Sequence, residues 1–264
     1  MTTTTLAPLL RAEGVTVRFG GLLALGDVGL AVPPGTVVGL IGPNGAGKTT
    51  LFNVLSGVVR PQQGRVVWKG RPLRGHRPHH LAGLGIARTL QGLNLFPGLS
   101  VLDNVIVGAD RLAGGGMPAM LTGLGGYQRD ERRLRDKAMA VLEDFGVADA
   151  AHAMPQTLPY GVQKRAALAR AVVAEPELLM LDEPASGLSG ADITELGDRI
   201  RAFGRRMGVL LVEHHMDLVM GICDHIVVLN FGEVIASGSP AVIRADPAVA
   251  QAYLGASVRE GSDD

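Results

Sequence analysis

The feature that most constrains the fold is a glycine-rich segment that matches the pattern G-x-x-x-x-G-K-[ST] in full. Its residues are Gly42, Pro43, Asn44, Gly45, Ala46, Gly47, Lys48 and Thr49. A nearly continuous apolar run at 36–41 comes directly before it, which predicts a strand buried on both faces. An apolar-patterned helix is predicted to begin near Lys48. A buried strand, a glycine-rich turn and a helix in this order predict a loop that binds phosphate groups.

Each part of this predicted loop has a chemical reason. Glycines allow successive backbone N–H groups to turn inward around phosphate oxygens, and the start of the helix adds partial positive charge. Lys48 is expected to reach the β- and γ-phosphates of a nucleotide, and Thr49 to bind Mg²⁺ through its hydroxyl. The alternative is a glycine-rich turn without a ligand. A chance match is disfavoured because the chain contains only four lysines.

A second apolar run, at 177–182, ends in two acidic residues. Asp182 is positioned to bind Mg²⁺ through water, and Glu183 to orient and deprotonate an attacking water molecule. Acidic residues in such a place also cap helices, so the pair alone is weak evidence. Its combination with the phosphate loop favours the catalytic interpretation.

The order of predicted elements indicates an α/β fold. The first third reads mostly as strands, at 15–19, 28–32, 36–41 and 65–68. The last third alternates helices at 163–174 and 191–207 with strands at 177–182, 209–212 and 226–229, which predicts a parallel sheet flanked by helices. Chemistry is then expected at the carboxyl ends of the strands. In the middle, a helix is predicted at 129–145 after a glycine-rich insert at 113–126, to which we assign no role.

Composition narrows the class of protein. With 47% apolar and 19% charged residues the 264-residue chain is globular in composition. The formal net charge is zero, which disfavours a nucleic-acid partner. Cys223 is the single cysteine, so neither an internal disulfide nor a multi-cysteine zinc site can form. There is no apolar run of about 18 residues and no secretory signal, so a soluble, cytoplasmic chain is expected.

Further motifs follow in a fixed order along the chain: Phe19-Gly20, Gln91, the segment 158–163, the segment 186–189 and His214. With the phosphate loop and Asp182-Glu183, they resemble the ATP-binding subunits of ABC transporters over nearly the whole chain. Residues 19–25 and 217–240 are similar to the subgroup that serves branched-chain amino-acid importers. The glycine-rich insert falls where that subgroup carries a variable insertion.

The resemblance implies roles for several residues. Phe19 would stack on adenine, although an aromatic residue of an edge strand would look the same. Gln91 would sense Mg²⁺ and the attacking water and link the site to a membrane partner. His214 would contact the γ-phosphate and help to hold Glu183. The ATP site would also include Thr50. The D-loop, a segment that crosses the dimer interface in the family, would comprise Ser186, Gly187, Leu188 and Ser189. Ser189 stands where the family usually has aspartate.

The segment in the place of the family signature departs from the common LSGGQ pattern. Its residues are Leu158, Pro159, Tyr160, Gly161, Val162 and Gln163. Pro159 replaces a serine, so a hydroxyl donor to the γ-phosphate of the partner subunit's ATP is missing, and proline has no N–H to offer. Gly161 and the helix start remain, so ATP sandwiching is expected to survive while the hydrolysis rate is in question. A helix start with proline near its first turn is the alternative.

The fold implied by the resemblance is a P-loop NTPase (RecA-like) core with an antiparallel β subdomain and a helical subdomain, of the ABC ATPase type. The implied division of the single domain 1–264 is a core with the β subdomain at 10–90 and 161–255 and a helical subdomain at 92–160, with loose termini at 1–9 and 256–264.

The implied activity is ATP hydrolysis with Mg²⁺ by a pair of ATP-binding subunits, either a homodimer or a heterodimer. The pair would drive separate integral-membrane permease subunits and, indirectly, a substrate-binding protein, with no nucleic acid involved. The chain would then lie in the cytoplasm, peripheral on the inner face of the membrane.

Other functions remain open at this stage. They are a nucleotide-binding regulator with little hydrolysis, an importer ATPase for urea or short amides, an ABC-type ATPase that acts on DNA or ribosomes, and a small-molecule kinase. The adjacent His214 and His215 raise the further question of a metal other than Mg²⁺. That is disfavoured because no cysteine or second carboxylate clusters with them at ligand spacing.

Overall fold

The structure is a computed structural model that describes residues 7–89, 92–109 and 126–260. The chain forms two compact units. The first unit contains the residues up to Leu84 together with those from Glu177 onward, and the second unit contains Gly85–Pro176.

An antiparallel sheet forms one part of the first unit. Its strands, in the order β2-β1-β4-β5, are β1 (Leu10–Phe19), β2 (Leu22–Val32), β4 (Gln63–Trp68) and β5 (Arg71–Pro72). Side chains of β1 and β2 alternate over much of their length between buried and more exposed, as Val15, Val17, Val28 and Leu30 show. The period of two explains why these segments form strands that bury one face.

A largely parallel sheet forms the other part of the first unit. Its strands, in the order β10-β9-β3-β8-β7, are β3 (Val37–Ile41), β7 (Leu178–Asp182), β8 (Gly208–Val212), β9 (His225–Asn230) and β10 (Glu233–Gly238). The pairs β9–β3, β3–β8 and β8–β7 are parallel, whereas β10 is antiparallel to β9. Every residue of β3, β7 and β8 is buried, so these continuous apolar runs are strands covered on both faces.

The register of the parallel strands positions the site. Val212 pairs with Leu40 on one side and with Asp182 on the other. The carboxyl ends of β3, β8 and β7 therefore meet at one edge of the sheet, where ligands of α/β folds bind. The sequence-based prediction of an α/β fold with a parallel sheet is confirmed.

The helices of the first unit are α1 (Lys48–Leu55), α2 (Leu81–Leu84), α6 (Gly190–Gly204), α7 (Met216–Ile222), α8 (Pro240–Ala245) and α9 (Pro247–Glu260), with a short 3₁₀ helix at Pro78–His80. Two of these helices were predicted from the sequence: α1 begins at Lys48, as predicted, and α6 is close to the helix predicted at 191–207.

The structure describes only residues 7–9 and 256–260 of the two segments that were expected to be loose termini. The Leu9 N–H donates to Val32 O at 2.8 Å, which adds this residue to the β1–β2 ladder. Helix α9 continues through residues 256–260, and Asp246 caps its start by accepting the Ala248 N–H at 2.8 Å. Residues 1–6 and 261–264 lie outside the described residues.

The second unit is mainly helical. It contains β6 (Ile86–Arg88), α3 (Val101–Gly108), α4 (Gly126–Asp144) and α5 (Tyr160–Val172), with 3₁₀ helices at Ala148–Ala150 and Pro155–Thr157. Helix α3 packs against both α4 and α5. Residues 113–125 of the glycine-rich insert lie outside the described residues.

The position of α5 differs from the expected domain division, which places residues from 161 onward in the core. Helix α5 belongs to the second unit together with α3. The two helices approach so closely that a Cβ on Gly108 would lie 2.1 Å from Arg170 O. This approach requires glycine at position 108 and explains why α5 clusters with the helical unit.

Candidate nucleotide-binding and catalytic site

The glycine-rich segment forms a tight loop between β3 and α1. Gly42, Gly45 and Gly47 have φ values of 151°, 76° and 102°, which L-residues with side chains rarely adopt. A Cβ on Gly42 would also lie 2.1 Å from Leu229 O. Gly47 is the N-cap of α1 in the left-handed conformation, so the loop leads directly into the positive end of the helix. The predicted phosphate-loop geometry is therefore present.

The turn between β9 and β10 holds this loop in place. Gly232 N–H donates to Ala46 O at 3.0 Å, and Gly26 N–H donates to Gly232 O at 2.9 Å. The preceding Phe231 has a φ of 45°. Sequence reasoning did not identify this support, because the turn is almost 190 residues away along the chain from the loop.

Lys48 lies inside the loop with 8% of its surface exposed. Its Nζ donates to Gly42 O at 2.6 Å and to Pro43 O at 2.9 Å. Burial lowers the pKa of Lys48, and the carboxylates of Glu183 and Asp182 act in the opposite direction. The ammonium group is thus held by two loop carbonyls and interacts electrostatically with two acidic side chains.

The residues expected to bind Mg²⁺ occupy adjacent elements. Asp182 is the last residue of β7 and is 8% exposed. Thr49 is an exposed residue in the first turn of α1, and Thr50 follows it. A carboxylate and a hydroxyl oxygen are hard donors that suit Mg²⁺. The donor set therefore fits the cation. Gln91, the third expected ligand, lies outside the described residues.

Glu183 has an unusual backbone conformation, with a φ of 46°. Its N–H donates to Val212 O at 2.9 Å, and its carbonyl accepts the Ser186 N–H at 3.2 Å. A left-handed conformation in a residue other than glycine is often found at functional sites, where the surrounding structure stabilises it. His214 Nδ1 lies 3.9 Å from Glu183 Oε1. The structure therefore brings the predicted base and the predicted γ-phosphate contact together.

Glu213 is a buried acidic residue that lies between β8 and His214. Sequence reasoning assigned no role to Glu213. Its side chain is fully buried. One carboxylate oxygen, Oε1, accepts the Ala185 N–H at 2.7 Å. The other, Oε2, accepts the N–H groups of His214 at 2.9 Å and His215 at 3.2 Å. A detectable signal was present, since an acidic residue follows a wholly apolar strand here just as it does after β7.

Glu213 also bears on the question of a metal other than Mg²⁺. Contrary to the sequence-based expectation, a carboxylate does cluster with the two histidines: ligand atoms of Glu213, His214 and His215 lie within 4.8 Å of one another. The Glu213 oxygens already accept backbone N–H groups, and His215 Nδ1 lies 3.0 Å from Oε2. Hydrogen bonding accounts for this cluster.

The D-loop segment follows Glu183 as a turn into α6. Leu188 N–H donates to Ala185 O at 3.1 Å, and Gly187 has a φ of 77°. Ser189 is the N-cap of α6, and its Oγ lies 2.5 Å from Asp192 Oδ2. The serine that replaces the usual aspartate therefore has a capping role within this chain.

Phe19 ends β1 opposite Leu22, and 52% of its surface is exposed. An exposed ring of this kind is available for stacking.

The predicted signature residues form the start of α5 in the second unit. Pro159 is the N-cap, and its carbonyl accepts the N–H groups of Val162 at 3.0 Å and Gln163 at 3.1 Å. The Gln163 side chain donates to Leu158 O at 2.8 Å. Tyr160 and Gly161 occupy the first turn, whose N–H groups point out of the helix start. A proline at the helix start is thus compatible with a helix that presents its N-terminus.

These features define an ATP-binding cassette, and comparison with known proteins agrees. Residues 25–186 match the ABC transporter family, and residues 233–259 match the family described as branched-chain amino acid ATP-binding cassette transporter. The chain belongs to the ABC transporter family and is an ATPase subunit of that family.

The relatives extend over almost the entire chain. The high-affinity branched-chain amino acid transport ATP-binding protein LivG of Escherichia coli K12 is 40% identical over 94% of this chain and 98% of its own length. The corresponding protein BraF of Pseudomonas aeruginosa is 41% identical with the same coverage. The crystal structure of the ADP conformation of MJ1267, an ATP-binding cassette of an ABC transporter, has a TM-score of 0.80 and 28% identity, and the match covers 94% of this chain and 99% of that one.

These matches confirm the resemblance and the fold class predicted from the sequence, including the P-loop NTPase core of the ABC type. Within the described parts of the chain, no helix is both long and apolar enough to span a membrane.

Proposed function

We propose that this chain is the ATP-hydrolysing motor subunit of an importer for branched-chain or other hydrophobic amino acids. The observation that carries the proposal is the meeting of Lys48, Asp182, Glu183 and His214 at one edge of the parallel sheet. The names of LivG and BraF, which match over 94% of the chain, support the substrate class.

In the proposed reaction, the phosphate loop and Lys48 hold the β- and γ-phosphates and offset their negative charge. Glu183 accepts a proton from water as the water oxygen bonds to the γ-phosphorus and the bond to the β–γ bridging oxygen breaks. His214 holds Glu183 and the γ-phosphate in position. Mg²⁺, held by Thr49, Asp182 and Gln91, would stabilise charge on the phosphate oxygens.

The proposed assembly is a pair of ATP-binding subunits, with each ATP between the phosphate loop of one subunit and the α5 start of the other. Nucleotide that contacts both surfaces only in the closed pair favours closure, and hydrolysis removes that preference. The pair acts on separate permease subunits, to which a substrate-binding protein delivers the transported substrate. The chain itself is cytoplasmic and peripheral on the inner face of the membrane.

The first test uses the tagged chain, purified from its native membranes with the subunits that accompany it. Wild type should release phosphate from ATP, and Glu183→Gln should lower the rate by about a hundredfold or more, since a general base contributes on that order. On a sizing column with ATP, Glu183→Gln should accumulate as a stable pair. Glu143→Gln, an identical change at an exposed residue of α4, should retain the wild-type rate. A wild-type preparation that binds ATP without hydrolysing it would favour the nucleotide-binding regulator and refute the motor.

The second test concerns the cargo. Cells that lack this chain should regain uptake of radiolabelled leucine when wild type is supplied, but not when Lys48→Ala is supplied. Restoration of urea or acetamide uptake instead would refute the amino-acid assignment and favour the importer for short amides.

A further inference from the structure

Glu213 joins the two segments that carry the proposed catalytic groups. Residue 183 follows β7 and residue 213 follows β8, and these strands are neighbours whose last residues, Asp182 and Val212, are paired. The Glu213 side chain reaches across this pair, because its Oε1 accepts the N–H of Ala185, two residues beyond Glu183. The segment after β7 is therefore hydrogen-bonded to the segment after β8 through one carboxylate.

The other carboxylate oxygen acts on the histidine segment. Glu213 Oε2 accepts the N–H of His214 at 2.9 Å, which fixes the backbone of that residue next to the fully buried carboxylate. The His214 ring is 52% exposed, and its Nδ1 lies 3.7 Å from Glu213 Oε2 and 3.9 Å from Glu183 Oε1. The ring also lies against the His215 ring, with 4.3 Å between the centroids. Because Glu213 holds the backbone of both histidines, the position of the His214 ring relative to Glu183 depends on that carboxylate.

We propose that Glu213 is a positioning residue for ATP hydrolysis, which sets the placement of His214 relative to Glu183 by bonding to both segments at once. This inference rests on the proposed function. Both Glu213 oxygens are needed as acceptors. An amide lacks the second acceptor, whereas a shorter acid keeps both acceptors but does not reach as far. Bonds between a carboxylate and N–H groups are short and strong, so they suit a link that must hold catalytic geometry.

The test compares kcat and KM for ATP in wild type, Glu213→Gln and Glu213→Asp. Glutamine keeps the shape but replaces one acceptor by a donor, and aspartate keeps both acceptors but shortens the reach by one carbon. Each variant should lower kcat by about tenfold to a hundredfold, because small errors in catalytic geometry have effects of that order. KM for ATP should change by less than about threefold, since the phosphate loop is intact. Two variants are used so that one remains informative if the other fails to fold.

A double-variant measurement separates positioning from simple support of the fold. If Glu213 acts through His214, Glu213→Gln should lower the residual kcat of His214→Ala by less than about twofold. Glu143→Gln serves as the control for the change from acid to amide.

Three outcomes would overturn the proposal. The first is a kcat within twofold of wild type in a folded Glu213 variant. The second is a rise in KM together with a loss of thermal stability that accounts for the whole fall in activity. The third is a fall in kcat in the His214→Ala background as large as the fall that the Glu213 variant shows alone. In each of these cases wild type still hydrolyses ATP, so the result is distinct from a failure of the proposed function, in which wild type itself is inactive.

Discussion

Replacing Gly39 by alanine should destabilise the first unit, because the central strand of the parallel sheet has no room for a methyl group at this position. An ideal Cβ on Gly39 would lie 2.9 Å from Cys223 Sγ and 3.2 Å from Val219 Cγ1. Comfortable contacts are about 3.5–4.0 Å, so at least two neighbours must move by several tenths of an ångström. Both neighbours are themselves buried in a close-packed interior.

The expected magnitude follows from two opposing terms. Overpacking of a core costs about 1–3 kcal/mol. Replacing glycine by alanine in a strand recovers about 0.5–1 kcal/mol, because the unfolded chain loses less backbone freedom on folding. Gly39→Ala should therefore reduce the free energy of unfolding by about 1 kcal/mol, the middle of a range from about 0 to 2.5 kcal/mol.

The assay is urea denaturation followed by the fluorescence of Trp68, the single tryptophan, which lies buried in β4 of the same unit. Gly29→Ala is the matched control: it is also a strand glycine, but its Cβ would meet only Ala12 O at 4.0 Å, so this variant should be as stable as wild type or slightly more stable.

A second substitution tests the cause directly. Cys223→Ala removes the sulfur that the new methyl group would approach, so the double variant should be more stable than the sum of the single effects by about 1–2 kcal/mol. A Gly39→Ala protein with wild-type stability, or strict additivity with Cys223→Ala, would refute the packing argument.

Two further predictions concern buried polar groups. The Asn104 side chain accepts the Phe96 N–H at 2.7 Å and donates to three carbonyls. Asn104→Asp places an acceptor opposite those carbonyls, so it should lower the melting temperature and reduce the free energy of unfolding by about 2–4 kcal/mol. Asn94→Asp, at an exposed position, should reduce it much less, and equal effects of the two substitutions would contradict the argument. Burial, and secondarily the charge of Asp224, raises the pKa of Cys223 from 9.0 to about 12, so the folded state binds the thiol proton more tightly than the unfolded state does. This contribution to stability should be complete below pH 9 and disappear as the pH rises towards 12, and Cys223→Ala should show a shallower decline in that range when urea midpoints are measured against pH.

The sequence was sufficient where structure depends on local pattern. The phosphate loop could be predicted because its glycines, its lysine and the preceding apolar run are contiguous. The strand before Asp182 could be predicted for the same reason. The helix predicted at 163–174 begins at Tyr160 instead, because Pro159 fixes the backbone conformation that starts a helix. Boundaries of this kind depend on cap geometry, which apolar periodicity does not report.

The sequence was insufficient where contacts depend on the order of strands in the sheet. Gly39 meets Cys223 only because β3 pairs with β9, whose first residues follow α7. The turn at Gly232 supports Ala46 for the same reason. Apolar runs predict that such strands are buried, but they do not state which strand lies beside which, so these contacts could not be derived from composition or spacing.

The two acidic segments show why similar sequence patterns can have different chemical roles. Glu183 and Glu213 each come directly after a fully buried parallel strand. The Glu183 side chain is 28% exposed, so water and phosphate can approach it, whereas Glu213 is fully buried with both oxygens accepting backbone N–H groups. A fully buried carboxylate is out of reach of an attacking water molecule, so Glu213 suits a structural link between the two segments and Glu183 suits the proposed role of base. The two acids therefore differ in burial and in the number of backbone N–H groups that they accept, and these depend on how the segments after β7 and β8 fold around each side chain.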